Sequence, residues 1–403
     1  MARFGAGLAT DADLRHAAEL ATRQALQPLA GQRPDLVCAF ACGLDPDEVG
    51  YVGRHVAELS GARTLLGCSA GGVIGAGRGV EAVSAVSVWA AVLPGVTLRS
   101  FHLEVLRTGD GLAVVGLPER TGQDQVVLLL ADPYSFPADS FVERANDSLA
   151  GLPLVGGLAA GPRGAGSTRL FLDGRAVERG AVGVVLGGPV GAVPLVSQGC
   201  RPIGPTMVVT AAEGNVLLEL AGVAALTKLQ QVVAELPPGD QALATTGLQL
   251  GVAMDEYAEE HDRGDFLIRG LVGADRDRGA LVVGDLLTVG QTVRFQLRDA
   301  DTADEDLTEL LAACRTAAAG GLPGPFEGAL LFSCNGRGAG LFASADHDVL
   351  AVRRELGIDG VGGFFAAGEI GPVGGRNHLH GFTASILAFG PGGEVRPPAP
   401  RAG

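Results

Sequence analysis

The sequence predicts an α/β protein with mixed sheets built from a repeated strand–helix–strand unit. Two observations carry this. Short apolar runs of strand length alternate with segments of helical period, and the same succession of elements recurs along the chain at similar spacing. The runs are continuous rather than alternating, as expected of strands buried on both faces.

The first unit lies in Asp35–Ser69. The run LVCAFACG reads as a buried strand. In DPDEVGYVGRHVAELSG, Asp45 is placed to cap a helix, Pro46 suits its first turn and Gly61 stops it. The run TLLG then ends in the glycine-rich CSAGGVIG. The second unit, Gln125–Gly161, has the strand VVLLLADP, the helix ADSFVERANDSLAG and PLVGG leading into LAAG. The third starts at Gly328 with ALLFSCNGRG, the helix DHDVLAVRRELG and VGGFFAAGEIG. The glycine-rich segments align as Gly67-Cys68-Ser69-Ala70-Gly71, Gly157-Leu158-Ala159-Ala160-Gly161 and Phe364-Phe365-Ala366-Ala367-Gly368, and a further apolar strand follows each.

Other elements lie outside the repeat. Leu14–Leu29 carries an apolar helical stripe. Asn215–Leu236 places Leu217, Leu220, Leu229, Val232 and Leu236 on one helical stripe that Pro237-Pro238-Gly239 ends. Phe266–Val272, Ala280–Val283 and Thr292–Leu297 read as strands, with Asp277-Arg278-Gly279 as a hairpin turn. Asp304–Ala319 reads as a helix stopped by Gly320-Gly321, and the tail from Gly390 to the C-terminus as disordered.

Composition narrows the partners. A formal net charge of -15, with Lys228 the single lysine and no basic block, repels phosphate backbones and anionic membrane surfaces. The most apolar stretch, Val83–Val96, is too short to span a bilayer and contains Pro94. The N-terminal segment lacks the layout of a signal or transit peptide. Six cysteines without a C-x-x-C pair suggest reduced thiols, and the expectation is a cytoplasmic protein.

The motifs resemble those of a known family. GCSAGGVIG at Gly67–Gly75 resembles the signature of the FIST N domain. LFSCNGRG at Leu331–Gly338, GFFAAGEIGPVGG at Gly363–Gly375 and LHGFT at Leu379–Thr383 resemble the FIST C domain, as do FLIRGLVG and DLLTVGQTVRFQLRD ahead of them. The resemblance runs from Asp35 to Phe389. It implies a two-domain FIST architecture: an N-terminal helix and lead-in over 1–34, FIST N over 35–221, FIST C over 222–389 and a tail over 390–403. It also implies an intracellular sensory protein of signal transduction that binds a small ligand, with amino acids among the candidates. No cofactor is implied, and the signalling partner is left open.

Several residues suggest chemistry. Gly67-Cys68-Ser69-Ala70-Gly71 is a literal G-x-S-x-G, so a serine hydrolase using Ser69 is the alternative. The glycines of GVIGAGRGVEAV oppose the helix that a nucleophile elbow needs. A pure interaction scaffold is the third reading. Glu369, His378 and His380 could suggest a metal, but hydrogen bonding within a loop Gly371–Asn377 or to a ligand is favoured. GVIGAGRG at Gly72–Gly79 reads as a turn with Arg78 exposed or contacting an anion. Ligands of open α/β sheets bind beyond the carboxyl ends of strands. The expected ligand-binding residues are therefore Cys68, Ser69, Asp132, Asn335, Arg337, Glu369, Arg376, Asn377 and His380. In this reading Arg337 and Arg376 clamp a carboxylate while Glu369 or Asp132 takes an ammonium. The glycine-rich turns of both halves should meet at one site.

Overall fold

Apolar β-runs with small residues at their ends fold here as three six- or seven-stranded sheets and a separate closed sheet. The computed structural model describes residues 2–109, 111–256, 258, 261, 264–319 and 325–390. The stop expected at Gly320-Gly321 and the tail expected beyond Gly390 lie outside the described residues. The chain forms two compact units. One comprises the residues up to Ser197, Leu307–Leu379 and the strand from Thr383; the other comprises Gln198–Asp306 with His380–Phe382. No helix among the described residues is long and apolar enough to cross a membrane.

The first unit contains the expected repeat three times. Leu36–Cys42 and Thr64–Ser69 pair in parallel across the helix Pro46–Ser60. Asp124–Ala131 and Leu154–Leu158 do so across Ala138–Ser148, and Gly328–Cys334 and Gly360–Ala366 across His347–Leu356. In the first helix, Asp45 accepts the Asp47 N–H at 2.9 Å and Gly61 ends it at φ 58°, as its caps require. After its second strand each repeat makes a hairpin and then returns with a closing strand antiparallel to its first: Ala85–Val92, Ala181–Gly187 and Thr383–Phe389.

The hairpins do not stay with their own repeats. The first, Gly72–Gly75 with Arg78–Glu81, adds to the edge of the third sheet at Gly360–Ala366. The second, Leu170–Leu172 with Arg175–Val177, adds to the first sheet at Thr64–Ser69. The third, Glu369–Val373 with Arg376–His380, adds to the second sheet at Leu154–Leu158. Each parallel pair is thus flanked by its own closing strand and by a borrowed hairpin.

The three sheets share one core. Phe4, Trp89 and Phe389 form a triangle of rings with centroids 5.3 to 5.6 Å apart, and Phe40 stacks on Phe364 at 4.8 Å. Such pairs add about 0.5–1.5 kcal/mol each beyond burial. Leu128, Val182 and Val184 join this core from the second sheet. Trp89 Nε1 donates to Gly360 O at 3.0 Å, so the indole N–H is satisfied inside.

In the second unit, Thr292–Arg298, Met207–Glu213, Val216–Leu220, Ala280–Val283, Phe266–Asp275 and Leu248–Ala253 pair antiparallel in that order, and the last pairs again with the first. The sheet therefore closes into a six-stranded ring. Val209, Leu217, Leu250, Leu281, Val293 and Phe295 fill it.

Three expectations need correction. Asn215–Leu236 is not one helix: Val216–Leu220 and Val223–Ala224 are strands, and the helix is Ala225–Glu235. Gly214 at φ 61° turns the chain back onto Met207–Glu213, and Ala221-Gly222, both at positive φ, break it again. Gly72–Gly79 is a β-hairpin rather than a bare turn: Ala76-Gly77 sit at φ 49° and 76° between its strands, and Arg78 is exposed. The expected loop Gly371–Asn377 is likewise two strands joined at Gly374-Gly375.

Close strand packing dictates one glycine in particular. A Cβ on Gly67 would lie 1.9 Å from Ala39 O and 2.9 Å from the Phe171 ring. Gly67→Ala is expected to cost about 3 kcal/mol, because backbone is what must shift. Gly239→Ala, in the first turn of Pro238–Gly247 with open space around it, should be neutral or slightly stabilising. Urea midpoints of the two variants check the contrast.

Candidate functional site

Strand ends in parallel pairs leave backbone N–H and C=O groups that need partners, and the three glycine-rich turns supply them to one another. Ala160 N–H of the second turn donates to Ser69 O of the first at 3.1 Å. Leu158 N–H donates to Gly368 O at 2.8 Å, and Ala367 N–H returns the bond to Leu158 O at 3.0 Å. Gly71 leans on the third repeat, where a Cβ would lie 3.0 Å from Asn335 Oδ1. The first strands end here too, with Ala70 N–H on Ala41 O, Ala159 N–H on Ala131 O and Asn335 N–H on Ala366 O. Ser69, Asp132, Asn335, Arg337 and Glu369 are carried by the elements of this junction.

Ser69 is buried, and Ala70-Gly71 leads directly into the strand Gly72–Gly75. Its Oγ accepts the Arg169 N–H at 2.9 Å, while its own N–H donates to Arg169 O at 2.7 Å. The hydroxyl is thus held by backbone in a strand-to-strand turn, a geometry unlike the strand-to-helix elbow of a nucleophile. One residue earlier, Thr168 Oγ donates to Asp132 Oδ1 at 2.7 Å, and Ser135 Oγ donates to Oδ2. Asp132 is buried and serves as the acceptor of its own turn.

A buried ion pair is built on the third repeat. Arg337, with no exposed surface, forks onto Asp348, Nε to Oδ2 at 2.8 Å and Nη2 to Oδ1 at 3.0 Å. Ser333 Oγ donates to Oδ2 at 2.7 Å, and His347 Nδ1 lies 3.0 Å from Oδ1. The His347 ring stacks on Phe342 at 3.5 Å, with Arg337 over the same phenyl ring at 5.3 Å. Burial alone would raise the Asp348 carboxyl, but Arg337 and the hydrogen bonds from His347 and Ser333 outweigh it and hold it well below the usual carboxylate range.

Glu369 is fully buried. Its Oε2 accepts from Thr383 N–H at 3.1 Å and Thr383 Oγ at 2.9 Å, and among the described residues Oε1 meets no nitrogen or oxygen donor. Burial pushes this carboxyl up to about 8 against the opposing pull of Thr383, the Cys334 thiol and the Arg337 charge.

The remaining expected residues are placed elsewhere or differently. Cys68 faces the common core, where burial and the neighbouring Cys38 raise its thiol well above the ordinary value. Arg376 is exposed beside the Gly374-Gly375 tip of its hairpin. Asn377 fixes that tip: its Oδ1 accepts Leu154 N–H at 2.8 Å, its Nδ2 donates to Leu152 O at 3.0 Å, and its backbone exchanges two bonds with the Asn146 amide. This is the start of the strand Leu154–Leu158, about 13 Å from its carboxyl end, so Arg376 and Asn377 do not join the turns. His380, buried, ends the return strand. Two surface hollows of about 310 and 350 Å³ lie around Gly357-Ile358-Asp359 rather than at the turns.

Sequence reasoning missed Arg169, Thr168, Asp348 and Thr383. Thr168 and Arg169 had a local signal, since they stand immediately before a hairpin strand of the repeat. The pairing of Arg337 with Asp348 had none beyond opposite charge.

Three exchanged strand–helix–strand repeats and an inserted closed sheet define a mixed α/β protein whose polar groups gather at shared turns. The match to known families is in keeping: residues 35–223 match the FIST N domain and residues 225–372 the FIST C domain, and the chain belongs to the FIST family, a family of sensory domains in signal transduction. It is 44% identical over 388 residues to an uncharacterized protein of Mycobacterium bovis, covering 96% of this chain and 98% of that one. An uncharacterized protein of Mycobacterium tuberculosis is likewise 44% identical, with 96% of this chain and 99% of the relative covered.

Removing one partner of a buried ion pair strands the other. Asp348→Ala is expected to lower stability by about 3–5 kcal/mol. Asp348→Asn, which keeps the shape and loses the charge, should fall between that variant and the native chain. Chemical denaturation at neutral pH reads both.

Proposed function

We propose that this protein is a cytoplasmic small-ligand sensor of signal transduction, that it catalyses no reaction, and that its ligand docks at the rim of the three-turn junction. The convergence of the turns carries the reading. Gly71 of the first repeat and Asn335 and Ala367 of the third are exposed there. Small residues leave room for a ligand, and the Asn335 carboxamide and turn backbone offer both donors and acceptors. Behind them Arg337 and Asp132 hold the turns through Asp348 and Thr168 and act as positioning residues. Amino acids are the first ligands to test, since a molecule carrying both donors and acceptors suits such a rim. Its output partner would be a signalling protein that reads the liganded state.

A ligand that binds the folded chain alone must raise its apparent stability, by about 2.7 kcal/mol at a hundredfold excess over Kd. A thermal-shift screen of the free amino acids and small metabolites should return at least one such molecule. Asn335→Ala should weaken its binding about fivefold or more with an unchanged unliganded Tm. A screen that returns nothing, or a hit indifferent to Asn335, counts against this site. Ester hydrolysis abolished by Ser69→Ala in a folded chain would replace the sensor with a hydrolase.

A further inference from the structure

We propose that Glu369 is a proton-dependent latch: neutral, it fastens the exchanged hairpin Glu369–Val373/Arg376–His380 to its own repeat, and on ionising it releases that fastening.

The position of Glu369 makes this possible. It is the first residue after the third turn, where the chain leaves its own sheet. Its backbone stands opposite Gly157 of the second sheet. Its side chain reaches back to Thr383, the first residue of the closing strand Thr383–Phe389 of the third sheet, and accepts from both its N–H and its hydroxyl. One residue is therefore bonded to two sheets; a carboxylate would accept the Thr383 bonds more strongly than the acid, so release on ionising is driven by the larger cost of burying the charge and not by weaker bonds.

The surroundings oppose a charge. Glu369 has no exposed surface, and Oε1 has no nitrogen or oxygen donor among the described residues. A carboxylate there would hold half its charge against groups that cannot solvate it. The titratable and charged groups on the packed elements are Cys334 and Arg337 on the third repeat, with Asp348 and His347 behind Arg337, and His378, His380 and, at its exposed far end, Arg376 on the return strand of the hairpin. The Cys334 thiol is a weak donor. Arg337 pulls the carboxyl down by its charge, and its fork on Asp348 offsets part of that pull. The carboxyl therefore keeps its proton through neutrality, as its rise to about 8 reflects.

The direction of the pH effect follows. A folded-state value of about 8, above the ordinary 4.5, means that the folded chain holds the proton more tightly than the unfolded chain. The contribution of the latch is full below about 4.5 and is lost as pH rises through about 8. Opening delivers the Oε1 proton to solvent and frees the Thr383 N–H. Because Gly368, next to Glu369, also bonds Leu158 of the second turn, alkaline release loosens the junction from its third side. This inference does not depend on a ligand binding there.

Hydrogen exchange of the full chain at about pH 6 and about pH 9.5, corrected for intrinsic rates, tests it. Protection of the segment containing Thr383 should drop about tenfold or more in the native chain. Glu369→Gln, which still offers an acceptor to Thr383 and never ionises, should show no such drop. An equal drop in both chains overturns the latch. Infrared spectroscopy of the native chain tests it without a variant: a buried carboxylic-acid carbonyl band should persist at neutral pH and vanish above about pH 8. Loss of every such band near pH 4.3, about the value of a free glutamate, would overturn it equally.

Discussion

A parallel pair of strands joined by a helix has a bare edge on its second strand, and in this protein that edge is always covered by a hairpin from another repeat. Everything in the first unit follows from that exchange. In the first and third repeats the hairpin leaves its own second strand through a tight turn, Ala70-Gly71 and Ala367-Gly368, whereas in the second a longer segment, Ala159–Arg169, intervenes. Three departures near one another bring three turns together, and their N–H and C=O groups then satisfy one another. Aromatic residues and aliphatic side chains of the three sheets fill the space behind them. Withdrawing any one repeat would uncover the edge of one other sheet and leave the hairpin of the remaining repeat without a sheet to join.

Charge is handled in two ways. The net charge of -15 is spread over the surface, where water solvates it. Inside, each carboxylate near the turns has its own solution. Asp132 takes hydroxyls from Thr168 and Ser135, Asp348 takes a full guanidinium fork, and Glu369 has one threonine. Asp348 and Glu369 mark the two extremes, the first held ionised and the second held neutral. Asp348 holds the Arg337 fork, whereas for Glu369 the cost of burial outweighs the charge of the same guanidinium.

The repeat was legible because it is local. Asp45, Pro46 and Gly61 mark a helix by chemistry that acts within a few residues, and the three Gly-rich turns align by eye. That no helix starts at Ser69 was legible too, from the glycines that follow it, although those glycines suggest a turn where the strand Gly72–Gly75 lies. The exchange was not, because pairing of Gly72–Gly75 with Gly362–Phe365 leaves no trace in either segment beyond a preference for strand. Closure of the second unit is hidden for the same reason: Thr292–Arg298 bonds to strands on both sides, far apart in sequence. Asn215–Leu236 misled because Leu217 and Leu220 are spaced for a helix, and Gly214 and Gly222 carry the decisive information. Arg337 and Glu369 read as ligand-binding residues because they stand at strand ends where open α/β sheets bind ligands; both are instead buried, Arg337 on Asp348 and Glu369 on Thr383.

The exchange also sets a timetable for synthesis. The hairpin Gly72–Glu81, with apolar Val73, Ile74 and Val80, leaves the ribosome roughly 290 residues before the strand that receives it. At about 5–20 residues per second, that is roughly 15–60 s in which an apolar hairpin has no sheet to join. The first sheet gains its outer hairpin after about a hundred residues more, while the third cannot be completed until nearly the whole chain has emerged. Nascent chains therefore present a bare strand edge for most of their elongation, and truncated products, having the donor without the acceptor, are the species from which aggregation would start.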